Sequence, residues 1–173
     1  MEKFIPDMYK KNIYDIDYEN LKKRGIKCIL FDLDNTIAPI NVPGPDKDLK
    51  DFFADLYMLG FKVILLSNAT RERVTPFKEK LNIDSSCKAR KPFKKKYKKI
   101  MDIYHFKDNE IACIGDQLLT DVLGANRMGF LSILVQPISN VDLFGTKINR
   151  IFERRIFKKL EKRGLFQVGE FYD

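Results

Sequence analysis

Short, almost unbroken apolar runs alternate along this chain with longer stretches of helical periodicity. Ile26–Phe31, Lys62–Leu66, Glu110–Ile114 and Leu131–Val135 each carry four or five apolar residues, broken only by Lys27 in the first and Ser132 in the last. Runs of this length predict strands buried on both faces, the habit of parallel sheets. Between them, Leu49, Phe52, Phe53, Leu56 and Leu59 recur at helical spacing and predict a helix from Asp46 to Leu59, stopped by Gly60. A second helix is predicted over Thr70–Leu81, followed by a short strand near Cys87. A third starts with Pro92 in its first turn and carries Phe93, Tyr97, Ile100 and Tyr104 on one face. A fourth spans Leu118–Met128 and stops at Gly129. Strand and helix in alternation predict an α/β fold, a doubly wound parallel sheet with right-handed crossovers, in one domain over residues 1–173.

Composition narrows the class. At 173 residues, with 45% hydrophobic and 32% charged residues, the chain has the make-up of a soluble globular domain. No apolar stretch approaches the ~20 residues needed to span a bilayer, and no signal peptide is evident, so a cytoplasmic location is expected. Cys28, Cys87 and Cys113 show neither disulfide nor zinc spacing. The one histidine, His105, is expected at the surface, which leaves acid–base chemistry to carboxylates.

The candidate chemistry sits where the apolar runs end. Ile26–Phe31 runs straight into Asp32-Leu33-Asp34-Asn35-Thr36. In open α/β sheets the reacting groups lie just past the carboxyl ends of the strands. Two aspartates one residue apart are costly there unless a cation or a substrate uses them. This strand end is therefore a candidate for covalent phosphoryl chemistry on an aspartate. Ser67-Asn68 follows the second run, Ala89-Arg90-Lys91-Pro92 follows the strand near Cys87, and Gly115-Asp116 through Asp121 follows the run at Glu110–Ile114.

D-x-D-x-T, then Ser, then Lys-Pro, then G-D-x-x-x-x-D, each after a predicted strand, resembles the four motifs of the haloacid dehalogenase (HAD) superfamily. Within it the chain is similar to the YqeG-type phosphatases of subclass IIIA, relatives of the mitochondrial phosphatidylglycerophosphate phosphatase. Asn12–Ile16, Gly25-Ile26-Lys27, Gly124-Ala125-Asn126-Arg127 and Asn149–Arg155 also carry the likeness. The resemblance implies a Rossmann-like HAD core and a phosphoric monoester hydrolase working through an aspartyl-phosphate. Asp32 would be the nucleophile and Asp34 the general acid and base. Ser67 and Lys91 would hold the transferring phosphoryl oxygens, with Thr36 and Asn68 donating to phosphate or orienting their neighbours. Mg²⁺ would be held by Asp32, the main-chain carbonyl of Asp34 and Asp116, with Asp121 a water-mediated or outer ligand.

Spacing and charge bear on the substrate. The gaps from Thr36 to Ser67 and from Asn68 to Lys91 are too short for a cap domain, so the site should be open, partly shielded by the Pro39–Pro45 loop. The net charge of +8 favours anionic partners. Much of it lies in Lys88–Lys99 and in a predicted amphipathic helix at about 146–163, where Ile148, Ile151, Phe152, Ile156 and Leu160 share one face. That helix either packs on the sheet or lies at an anionic bilayer surface, with Phe157 and Phe166 as anchors. With the family likeness, the second reading makes the substrate phosphatidylglycerophosphate and the protein peripheral on the inner face of the membrane. A soluble nucleotide, sugar phosphate or phosphoprotein is the alternative substrate. Nucleic-acid binding is the alternative of another class, and core packing of Phe93 and Tyr97 argues against it.

Overall fold

The computed structural model describes residues 1–141 and 144–173 of the chain. Its strands are β1 (Met8–Lys10), β2 (Cys28–Phe31), β3 (Lys62–Leu66), β4 (Asp84–Ser86), β5 (Ile111–Gly115) and β6 (Leu131–Val135). They form one sheet in the order β1-β6-β5-β2-β3-β4, every pairing parallel. The helices are α1 (Tyr18–Lys23), α2 (Lys47–Met58), α3 (Arg71–Leu81), α4 (Lys95–Tyr104), α5 (Leu123–Met128) and α6 (Phe144–Glu161).

The apolar runs explain the two-sided burial. Ile29 and Phe31 of β2 point into one core with Leu49, Phe53 and Leu56 of α2 and Val74 and Phe77 of α3. The alternate residues, Cys28 and Leu30, face Tyr97 and Ile100 of α4 and Ala125 of α5. A third cluster joins Tyr9 and Leu134 to Leu160 of α6 and to Phe166. Both edges of the sheet are guarded. Beside β1, Tyr9 and Tyr172 exchange N–H to carbonyl bonds of 2.9 Å. At the other end β4 is three residues long, with Asp84 paired to Lys62 at 2.6 Å.

Local signals place most boundaries. The Asp46 carboxylate accepts from the Leu49 N–H (2.8 Å) and starts α2, while Gly60 (φ +92°) turns the chain after it. The helix expected to begin at Pro92 begins at Lys95 instead, so Phe93 lies outside it and is exposed. The strand expected near Cys87 stops at Ser86. Leu118–Met128 is two pieces, a wide π turn over Leu118–Val122 and then α5. Between Thr36 and Ser67 the chain forms only a loop, α2 and β3, and between Asn68 and Lys91 only α3 and β4, so there is no separate cap. Among the described residues, no helix is long and apolar enough to cross a membrane.

Candidate active site

The carboxyl ends of the central strands deliver the candidate residues to one place. Asp32 follows β2, and its N–H donates to the Ile114 carbonyl at 2.9 Å, which fixes its register on β5. Asp116 follows β5, and Asp121 comes from the π turn beyond it. Wide turns of this kind recur where a side chain must be re-aimed at a site. Each of the three aspartates is buried and offers a carboxylate oxygen within 4.8 Å of the others. Gly115 makes the approach possible, because a Cβ there would run into the Asp121 carboxylate.

Lys91 enters from the loop after β4. Its ammonium donates to Asp32 Oδ1 at 2.7 Å and to Asp121 Oδ1 at 2.6 Å, with the side chain 3% exposed, which excludes a solvated lysine face. Asn68 clamps its main chain, accepting from the Lys91 N–H (2.7 Å) and donating to its carbonyl (3.4 Å). Asn68 is expected to donate to phosphate or to orient a neighbour, and both of these bonds are to the Lys91 main chain. Thr36 likewise orients: its hydroxyl donates to Asp116 Oδ1 at 3.1 Å. The buried Ser67 hydroxyl accepts from the Ala69 N–H (3.1 Å), which leaves its own hydrogen to donate.

Asp34 does not join the triad with its side chain. Its carboxylate accepts from Arg73 Nε at 2.9 Å. The same guanidinium donates to the carbonyls of Pro39 (3.0 Å) and Val42, and it lies over the Phe77 ring. One arginine on α3 therefore fixes both Asp34 and the start of the Pro39–Pro45 loop. A second arginine, Arg150 of α6, reaches Asp116 through both its side chain and its main-chain carbonyl (2.8 Å). It also pairs with the buried Glu153 at 3.1 Å, whose other oxygen accepts from the Leu119 N–H (2.9 Å).

These contacts were not expected. Arg73 sits among charged residues of a helix, a pattern that reads as a solvated face. Glu153 did carry a signal, since it shares the apolar arc of Ile156 and Leu160 at helical spacing. Phe157 and Phe166 are corrected from membrane anchors to core: their rings meet at 5.4 Å, and Phe166 packs against Tyr9 at 5.0 Å. Tyr97 is buried as expected, but Phe93 is not, so the two aromatics do not share a helical face.

Burial sets the electrostatics. It pushes the Asp32 carboxyl up to about 6, with the Lys91 charge opposing and the Asp121 charge adding. Burial pushes Asp116 up to about 8, against Arg150 and with the Asp32 and Asp121 charges behind it. On Lys91 burial favours the neutral amine, but Asp121 and Asp32 overcome it and hold the ammonium above its ordinary value. Three buried aspartates thus share two cations, Lys91 and Arg150, and Arg150 also serves Glu153. A divalent cation would supply the missing positive charge. An all-oxygen donor set suits a hard ion, so the residues fit a divalent metal site. Asp32, Asp116 and Asp121 would hold it.

With this geometry in place, similarity to known proteins becomes informative. The sequence matches the family described as mitochondrial PGP phosphatase over residues 1–139. It is 42% identical over 167 residues to "Probable phosphatase YqeG" of Bacillus subtilis (strain 168), covering 96% of this chain and 97% of that protein. It is 28% identical over 182 residues to phosphatidylglycerophosphate phosphatase 1, chloroplastic/mitochondrial, of Arabidopsis thaliana, covering 95% of this chain but half of that protein. Among solved structures, the fold is shared with the cobalt-bound deoxy-D-mannose-octulosonate 8-phosphate phosphatase of Haemophilus influenzae (TM-score 0.55, 13% identity, 80% of this chain and 94% of that one). The ordered motifs, the buried aspartates and the match over most of the chain agree: this is a phosphatase on a HAD core, belonging to the mitochondrial PGP phosphatase family together with the YqeG-type proteins.

Proposed function

We propose that the chain hydrolyses phosphomonoesters with Mg²⁺ through an aspartyl-phosphate on Asp32, and that its substrate is phosphatidylglycerophosphate. The observation that carries the chemistry is the buried Lys91 ammonium, seated between Asp32 and Asp121 at 2.7 and 2.6 Å. An ammonium there is placed to meet a phosphoryl oxygen as Asp32 Oδ attacks phosphorus. The bond from phosphorus to the leaving oxygen breaks, and Asp34 gives its proton to the departing alkoxide. Asp34 then takes a proton from water, whose oxygen attacks the aspartyl-phosphate, releasing phosphate and restoring the Asp32 carboxylate.

Ser67 and Lys91 donate to the transferring oxygens, Thr36 and Asn68 steady Asp116 and Lys91, and Asp32, Asp116, Asp121 and the Asp34 carbonyl make up the metal site. When bound, Mg²⁺ neutralises charge on the phosphoryl oxygens and lets the carboxylates stay ionised. The lipid substrate is supported by the family description, by the name of the Arabidopsis relative, and by α6, whose Ile148, Ile151 and Phe152 are exposed beside Arg154 and Arg155. This reading puts the protein in the cytoplasm, peripheral on the inner face of the membrane.

The test is phosphate release by the purified protein with Mg²⁺ from a panel of phosphatidylglycerophosphate, nucleotides, sugar phosphates, phosphopeptides and p-nitrophenyl phosphate. The lipid is expected to give the highest kcat/KM. Asp32→Asn is expected to remove at least about 10³-fold of every activity. A preference for a soluble ester would overturn the lipid substrate, and undiminished turnover by Asp32→Asn would overturn the chemistry.

A further inference from the structure

Two cations divide the buried aspartates between them. Lys91 takes Asp32 and Asp121, and Arg150 takes Asp116. Asp116 is thereby fully engaged. Its side chain is 0% exposed, Oδ1 accepts from the Thr36 hydroxyl at 3.1 Å, and Oδ2 accepts from the Arg150 guanidinium. A guanidinium on this carboxylate works against a divalent cation in two ways. It repels the like charge at close range in a poorly screened site, and it occupies an oxygen that the ion would use.

Glu153 changes what that conflict costs. One Arg150 nitrogen already donates both to the Asp116 carbonyl (2.8 Å) and to Glu153 Oε2 (3.1 Å), so the guanidinium has a second carboxylate within reach. Asp32, Asp116, Asp121 and Glu153 are all buried, four carboxylates against the two cations Lys91 and Arg150. A divalent ion would bring the positive side to four as well, provided that Arg150 stays and turns to Glu153. Without Glu153 the guanidinium would have no carboxylate to turn to, and a charge stripped of its partner is costly there.

The same contact ties a helix to the centre. Between residues 147 and 152 of α6, Ile148, Ile151 and Phe152 are exposed, and Arg150 carries the hydrogen bonds to the end of β5. Apolar packing begins farther along, at Ile156, Phe157 and Leu160. The hold on Asp116 is therefore also the hold on the start of α6.

We infer that Arg150 competes with the divalent ion for Asp116 and yields by turning onto Glu153, so that metal occupancy and the seating of the first half of α6 are coupled. The inference rests on the metal site of the phosphatase reading and adds a regulator of its occupancy. The coupling is reciprocal: whatever draws the start of α6 outward tightens metal binding by the factor by which metal loosens the helix. A residue that merely supports a metal ligand behaves in the opposite sense, since its loss weakens binding by about 10–100-fold.

The experiment measures affinity rather than turnover. Mn²⁺ is titrated into the full chain and the free ion is followed by electron paramagnetic resonance, with Mg²⁺ as competitor. Thermal melts in EDTA check that each variant folds. Arg150→Met is expected to bind both ions at least about tenfold more tightly than the wild type. Glu153→Gln, which keeps an oxygen for the Leu119 N–H but removes the carboxylate, is expected to bind them more weakly. In the wild type, Mg²⁺ is expected to speed hydrogen exchange at amides 147–152 relative to 156–160. Equal or weaker binding by Arg150→Met overturns the competition. Should that variant not fold, unchanged or tighter binding by Glu153→Gln overturns it instead. Unchanged or slower exchange at 147–152 overturns the coupling to α6. Each of these results leaves the metal site standing, whereas a wild type that binds neither ion overturns that site as well.

Discussion

Asp34 lies two residues from Asp32, yet its carboxylate faces α3, where Arg73 holds it at 2.9 Å. On the proposed chemistry this makes Arg73 a positioning residue: it fixes the acid that must reach the leaving oxygen, and it fixes the Pro39–Pro45 loop by the same guanidinium. Arg73→Met keeps the packing volume over Phe77 but frees Asp34. We expect kcat on alkyl phosphates, whose leaving groups need a proton, to fall by about 10–100-fold. p-Nitrophenyl phosphate, whose leaving group needs none, should lose much less, and steady-state kinetics on the two esters check this. The aspartates could be read from sequence because a costly pair at a strand end demands a reason. Arg73 could not, because its partners are 31 to 39 positions away and only the folded chain brings them together.

At the scale of elements, strands and long helices were legible wherever a run was long enough to show its period. β1 and α1 were not: three residues of Met-Tyr-Lys and six of a charged helix carry too little pattern. The start of α4 was misplaced because Pro92 suits a first turn, whereas Arg90 (φ +56°) and the Asn68 clamp on Lys91 fix a loop that turns the ammonium inward. For α6 the amphipathic pattern allowed packing or surface binding, and the structure divides the helix between them. Glu153, Ile156, Phe157 and Leu160 pack inward, while Ile148, Ile151 and Phe152 stay exposed. Glu153 is an inward polar contact that helps to seat the helix beside Arg150, since it serves both Arg150 and the Leu119 N–H. Glu153→Ala should therefore cost about 3 kcal/mol, because it strips a buried pair of one partner. The expected outcome is a lower urea midpoint with an unchanged slope.

For the whole molecule, the buried aspartates tie stability to pH and metal. Asp32 and Asp116 have folded values of about 6 and about 8, above the ordinary 3.8. Between that ordinary value and the folded ones, the native state binds more protons than the unfolded chain. The contribution of these two groups to the stability of the metal-free protein is therefore full below about pH 4 and is lost as pH rises through about 6 and then about 8. Thermal melts in EDTA should show Tm falling from pH 5 to pH 8, and Mg²⁺ should reduce the fall by favouring the ionised carboxylates. Asp116→Asn should flatten the profile without metal. The charge of +8 and the exposed face of α6 lead to a separate expectation. The protein should co-sediment with phosphatidylglycerol-containing vesicles, less so as salt rises, and Ile151→Asp/Phe152→Asp should weaken that association further.

The order of the strands carries a consequence for how such a catalyst can diverge. The groups proposed to break the bond follow β2 and β5, neighbours in the middle of the sheet, while α6 follows β6, nearer the rim. On the proposed reading, the exposed positions of this peripheral helix can change while the centre is left alone, provided Arg150 and Glu153, which hold Asp116 and the Leu119 N–H, are kept. Conversely, any change that shifts the central pair alters every reaction the enzyme performs. Exchanging only the outward residues of the last helix between relatives, with Arg150 and Glu153 retained, would thus vary the rim while the engine stays the same.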